Sequence, residues 1–232
     1  MLRELSELLD ALPASASRAD YRTAIVQENL LAKSTRSTRL TTGQCLTQLY
    51  ALDPEVPLFR VLRRLWAFEP ADSGGRALLG ILTALARDPL LRLTAGPVLA
   101  LSIGEELVRT ELANWIRDQT GPRFNDATLN KIAINAATSW TQSGHLEGRM
   151  RKFRRLISPT PAAVSLALWL GEAEGLAGHR LIDSRWAAVL DVRGGAMLDY
   201  ATCASRLGLI RLRAAGNVVE ASALALDPEF QP

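Results

Sequence analysis

Between residues 126 and 157 the chain passes from an amphipathic helix to a glycine stop, a short apolar step and a dense basic segment. Leu129, Ile132, Ala133, Ala136 and Trp140 recur three or four apart, which puts them on one face of a helix running from Asp126 to Ser143. Gly144 can take the positive φ that ends a helix, and His145-Leu146 then begins an extended piece. Arg149, Arg151, Lys152, Arg154 and Arg155 follow, five cations in seven residues. A helix with a free polar face beside a cationic hairpin is how a winged helix-turn-helix meets DNA phosphates. Met150, Phe153 and Ile157 also fit one helical face, so a helical continuation is the alternative; Gly148 and Ser158-Pro159 on the flanks favour a strand or loop.

Upstream, the pattern is helical throughout. Leu2, Leu5, Leu8, Leu9 and Leu12 predict a first amphipathic helix ending near Pro13, and Asp20 is a candidate cap for a second with Tyr21, Ala24, Ile25 and Leu31 buried. Ser34 to Ser37 reads as a polar break, and Leu40 to Leu52 as a third helix. Pro57 suits the first turn of a fourth helix, Arg76 to Arg87 forms a fifth, and Pro97 opens a long sixth that reaches Asp118. Downstream, Pro161 starts a helix through Val164, Leu168 and Trp169, a short one covers Ser184 to Leu190, and another runs from Leu198 to Leu207. Residues 209–213 and 218–221 read as two strands joined by a turn at Gly216-Asn217. The order helix, glycine, strand, turn, strand thus occurs twice, so a second winged unit or a degenerate repeat is expected. The fold class that results is mainly α: an all-helical bundle over 1–121, a winged helix-turn-helix-like unit over 122–180, and a helix plus β-hairpin unit over 181–232.

Composition sets bounds on function. In 232 residues, 48% are hydrophobic and 22% charged, the balance of a globular protein with a real core. The net charge is +3, and only Lys33, Lys131 and Lys152 among the 27 basic residues are lysines. Arginine binds phosphate in a planar, two-pronged way, although codon bias in a GC-rich genome gives the same excess. Two distant cysteines, Cys45 and Cys203, fit a reducing compartment, and the opening residues lack the long apolar core of a signal peptide. The most apolar stretch, Ala162 to Leu170, is shorter than the roughly 20 residues a membrane helix needs. A cytoplasmic protein without a membrane partner is expected.

The candidate contacts are cationic and amide side chains. Arg149, Arg151, Lys152, Arg154 and Arg155 are expected to grip phosphates, each neutralised phosphate releasing counterions; the plainer alternative is a solvated loop or one that pairs with acids of a partner. Asn130 and Lys131, with Thr128, Asn135 and Gln142, lie on the polar side of the 126–143 helix, where such groups can meet base edges. Lys33, Arg36 and Arg39, among Ser34, Thr35, Ser37 and Thr38, make a second backbone contact or a solvated turn. Arg60, Arg63 and Arg64 read as the wet face of an apolar helix, and Arg206, Arg211 and Arg213 as decoration of the last unit. The five tryptophans fall at core-like helical positions. Neither His145 nor His179 has a cysteine at metal-ligand spacing, and no phosphate loop or Gly-x-Ser-x-Gly elbow is present. A noncatalytic protein without cofactor or metal is expected.

The passage Tyr21-Arg22-Thr23-Ala24-Ile25-Val26-Gln27-Glu28-Asn29-Leu30-Leu31-Ala32-Lys33-Ser34, followed by a leucine-rich helix pair, resembles the opening of BrxA proteins from BREX phage-defence systems. The later passage from Ala127-Thr128-Leu129-Asn130-Lys131 through Ser143-Gly144-His145-Leu146-Glu147 is similar to that family as well, so the likeness spans about residues 20–160. The lead before residue 20 and the extension past residue 180 depart from it. The resemblance implies a small, mostly helical, noncatalytic protein that binds double-stranded DNA beside other BREX proteins, with Lys33 and its basic neighbours and the 126–155 unit carried over. An adaptor subunit of a larger defence complex and a transcriptional repressor are the rival expectations.

Overall fold

In the computed structural model, which describes residues 1–71, 74–192, 194–215 and 218–229, the chain is mainly helical with two small antiparallel hairpins. The first helix, α1 (Leu2–Ala11), buries Leu5, Leu8 and Leu9. In α2 (Arg18–Val26) the cap is Ser17, one turn ahead of the expected Asp20: the Ser17 hydroxyl accepts from the Asp20 amide while the Asp20 carboxylate accepts from the Ser17 amide. That reciprocal pair satisfies two amides that the first helical turn leaves open. Helix α3 (Arg36–Tyr50) begins four residues before Leu40, because Thr35 accepts a hydrogen bond from the Thr38 amide and turns the expected polar break into a helix start. Pro57 opens α4 (Pro57–Trp66) as expected, and α5 (Gly74–Arg87) lies in the core, burying Leu78, Leu79, Ile81, Leu82 and Leu85.

The long helix expected from Pro97 to Asp118 does not form. Its span holds α7 (Ala95–Ala100), preceded by α6 (Pro89–Leu93), then an extended stretch and α8 (Arg109–Thr120). Gly104 takes φ +84° and the Glu105 carboxylate accepts from the Ser102 amide at 2.7 Å, which closes a turn where the helix would have continued. The backbone released there pairs with residues about fifty positions on. A 3-10 turn, Gly121–Arg123, leads from α8 into α9 (Asp126–Gln142), capped by Asn125.

Strands β1 (Leu146–Glu147) and β2 (Phe153–Arg154) form the first hairpin, with Leu146 opposite Arg154 and Glu147 opposite Phe153. Helix α10 (Pro161–Ala173) is apolar all round and buried from Ala162 to Gly171, so it needs neighbours on every side. It is packed by α4 and α5 from the first half, and by α12 (Arg185–Val189) and α13 (Gly194–Arg206), with α11 (His179–Ile182) at its end. The second hairpin pairs β3 (Arg211–Ala215) with β4 (Val218–Ser222); the turn expected at Gly216-Asn217 lies outside the described residues. Trp66, Trp140, Trp169 and Trp186 are buried, whereas Trp115 is 40% exposed and caps the Leu93 carbonyl through its indole N–H. Arg60, Arg63 and Arg64 are ties and not a wet face: Arg60 pairs with Asp227, Arg63 donates to the Leu9 and Leu12 carbonyls, and Arg64 donates to the Ala225 carbonyl.

Candidate nucleic-acid interface

Helices α8 and α9 pack closely on one another, and the hairpin β1–β2 follows α9 directly. On the far side of β2 runs the segment 104–107: the Gly104 amide donates to the Arg154 carbonyl, the Leu107 amide to Lys152, and the Arg154 amide to Glu105, at 2.8–2.9 Å. Strand β2 is therefore the middle of a three-membered ribbon whose outer members come from either side of α8 and α9. The unit draws in residues 104–120, across the boundary expected at 121.

Leu129, Ala133, Ala136, Ala137 and Trp140 form the buried face of α9, close to the expected set; Ile132 is half-buried. Asn130, Lys131, Ile134, Asn135 and Gln142 are exposed, and Thr128 is half-buried. The polar face is not uniformly open, however. Asn135, Thr138 and Gln142 line a groove of about 380 Å³ against Cys45, Gln48 and Leu49 of α3, and the Gln142 side chain accepts from the Leu2 amide at 3.4 Å. The open part of α9 is its first half, where Asn130 and Lys131 stand.

The five cations of the basic segment do not share a face. Arg154 is buried, so its expected role at phosphates is corrected: its guanidinium pairs with Asp191 and donates to the Arg155 carbonyl. Alternation along a strand is the reason, because successive side chains point to opposite faces of the ribbon. Arg155, on the other face, pairs with Glu147 at 2.7 Å, and Arg151 pairs with Glu106 while its guanidinium lies 5.1 Å above the Phe153 ring. The Arg151 hydrogen bond holds the Glu106 carboxyl below the usual carboxylate range. Lys152 reaches back to α9, its ammonium donating to the Thr141 hydroxyl at 2.9 Å. Arg149 is exposed and has no ion-pair partner among the described residues.

The second expected cluster also separates. Lys33 donates to the Glu4 carboxylate of α1 at 2.9 Å, and Arg39 donates to the Val26 carbonyl at the end of α2 at 2.9 Å. Burial alone would raise Glu4, but the Lys33 ammonium, its own backbone amide and the α-amino group together bring it down to about 2. Only Arg36 of the three stands exposed, on the first turn of α3.

A residue that the sequence marks only as the start of the extended piece organises the base of the unit. His145 is fully buried, with Nε2 2.7 Å from the Val189 carbonyl and Nδ1 2.8 Å from the Ser143 hydroxyl. A carbonyl only accepts, so Nε2 carries the proton and Nδ1 accepts from Ser143, an assignment made from the partners. Burial pushes the imidazole down to about 4 against the pull of the Val189 carbonyl and Asp191. The Trp140 ring meets His145 edge-on at 4.8 Å, and its indole N–H donates to Thr94 at 2.8 Å. This chain of contacts joins α9, the hairpin, α12 and the α6–α7 corner. The only sequence signal for it was a histidine directly after a helix-ending glycine.

Among the described residues no three His, Cys, Asp or Glu side chains are grouped as a metal ion would need, and no helix is long and apolar enough to cross a membrane. Comparison with protein-family models, with curated proteins and with solved structures finds no match to this chain.

Proposed function

We propose that residues 104–155 act as a winged helix-turn-helix and bind double-stranded DNA. The observation that carries this reading is the order of parts: an outer strand at 104–107, helices α8 and α9, then β1, a loop and β2 lying between β1 and that outer strand. In such a unit the second helix enters the major groove and the hairpin loop meets the flanking backbone. Asn130 and Lys131 on the open half of α9 are suited to base edges, and Arg149 at the hairpin loop to a phosphate. Arg151 and Arg155 join them by exchanging Glu106 and Glu147 for phosphate oxygens. Exposed ion pairs of this kind are screened by solvent and contribute little, so the exchange is cheap.

This is a smaller grip than five aligned cations would make. Binding of the full chain to a labelled duplex, followed by anisotropy over a range of salt, tests it. The logarithm of affinity is expected to fall with the logarithm of salt at roughly 0.9 per phosphate contacted, for about three or four contacts. An affinity indifferent to salt, or unaffected by Lys131→Ala with Arg149→Ala, overturns the reading.

The passages similar to BrxA support placing this activity in a BREX-type anti-phage locus, alongside other BREX proteins. A second reading, an adaptor that docks on a larger enzyme, is favoured by Ile103 and Leu156, exposed apolar residues that the 104–107 pairing brings to the same end of the ribbon. Substituting both by serine separates the two: an adaptor loses its partner, and a DNA-binding unit keeps its duplex.

A further inference from the structure

Met150 is the most exposed large apolar side chain among the described residues, 91% open at the tip of the β1–β2 loop. A single apolar residue on a surface is ordinary and by itself means nothing. What sets this one apart is how the loop around it is held. Gly148 takes φ +103°, and a Cβ there would run into the Arg151 carbonyl oxygen, so the loop closes backbone against backbone. Lys152 ties the loop down to α9 through Thr141, and its ammonium lies 3.4 Å from the Gly148 carbonyl. The Arg151 guanidinium lies over the Phe153 ring and is fastened to Glu106. With Arg151 and Lys152 engaged in this way, Arg149 and Met150 are the exposed side chains of the loop that have no ion-pair or hydrogen-bond partner among the described residues.

We infer that this tip is a minor-groove wedge: Arg149 enters the groove and Met150 inserts its thioether chain at a base step, partly unstacking it and bending the duplex. The inference rests on the DNA-binding reading above and specifies how the hairpin contributes to it. The loop is tied to α9 at Thr141, so with α9 in the major groove the tip is placed to reach the adjacent backbone and the minor groove beyond it. The minor groove's negative potential draws an arginine in, most strongly where it is narrow. Apolar side chains, methionine among them, act as wedges between base steps in architectural proteins, at an unstacking cost that the bent duplex returns as added contact. Methionine is suited to the task because it is unbranched and polarisable and adapts to an irregular gap. A loop already closed around glycine has less backbone to order on entry.

The test uses the full chain and a duplex of about 30 base pairs with TpA steps spaced one helical turn apart, the steps that open most easily. End-to-end energy transfer reads bending, and 2-aminopurine beside the steps reads unstacking. Wild type is expected to raise both signals on binding. Met150→Ser is expected to lose both and to weaken binding several-fold, and Met150→Leu to keep them; the side chain is solvent-exposed, so both variants keep the wild-type thermal midpoint. If the Met150→Ser complex bends and unstacks the duplex as wild type does, the wedge is wrong while the DNA-binding unit stands. If wild type does not bind the duplex at all, both fall together, and a tip that instead docks on a protein partner is one route to that result.

Discussion

Arg154 and Asp191 form an ion pair inside the protein, the guanidinium 3% and the carboxylate 11% exposed. The same carboxylate accepts from the Ile157 amide at 3.1 Å, so one acid fixes both the middle strand of the ribbon and the chain that leaves it. A residue that reads as a phosphate clamp is in fact what joins the hairpin to the C-terminal half.

Asp191→Asn is expected to destabilise the protein by about 3 kcal/mol, because it leaves a buried guanidinium without its counter-charge. Asparagine tolerates the positive φ of 56° at this position, so the loss reports charge and not backbone strain. Urea unfolding measures it. Changing Arg154→Met together with Asp191→Asn is expected to recover most of the loss, and a single variant as stable as wild type would place the pair in solvent.

Stability is expected to fall with acid through His145. Its folded value is lowered to about 4 from the ordinary 6.5, so the unfolded chain takes up the proton first. The contribution is complete above pH 6.5, declines as the pH falls through this window, and has vanished below about 4; it amounts to about 3 kcal/mol. Glu4, lowered to about 2, loses its contribution only further down, between 4.5 and 2. Chemical denaturation at several pH values checks this: His145→Gln flattens the slope between 6.5 and 4, and equal slopes in wild type and variant would refute it.

Removing the acids that hold the exposed cations is expected to tighten DNA binding. Glu106→Gln with Glu147→Gln frees Arg151 and Arg155 and removes two charges that repel phosphate, raising affinity several-fold at low salt. Arg149→Ala is expected to reduce the salt slope by about 0.9. Anisotropy titrations decide both, and unchanged affinity in the double variant argues that the ribbon faces away from the duplex.

Gly148→Ala is expected to loosen the hairpin without unfolding the protein. The positive φ alone costs a side chain about 1–2 kcal/mol, and the methyl group also runs into the Arg151 carbonyl oxygen, so the loop backbone must shift, a disturbance confined to one loop. Hydrogen exchange is the measurement: amides of β1 and β2 gain exchange while those of α5 and α10 keep their protection.

What the sequence determined by itself is what neighbours along the chain decide among themselves. The buried face of α9, its start at Asp126 and the glycine after it, the opening of α4 at Pro57, and the pairing of β3 with β4 all follow from periodicity, capping and punctuation within a few residues. What only the tertiary structure decided depends on partners far away in the chain. The extended segment at 104–107 replaces a helix because its amides find carbonyls on β2, and Arg154 turns inward because Asp191, 37 residues on, waits there. Lys33 and Arg39 leave the basic turn for Glu4 and Val26 in the same way. A side chain's charge is written in its own position; whether that charge meets solvent or a counter-ion depends on which distant backbone the fold brings beside it.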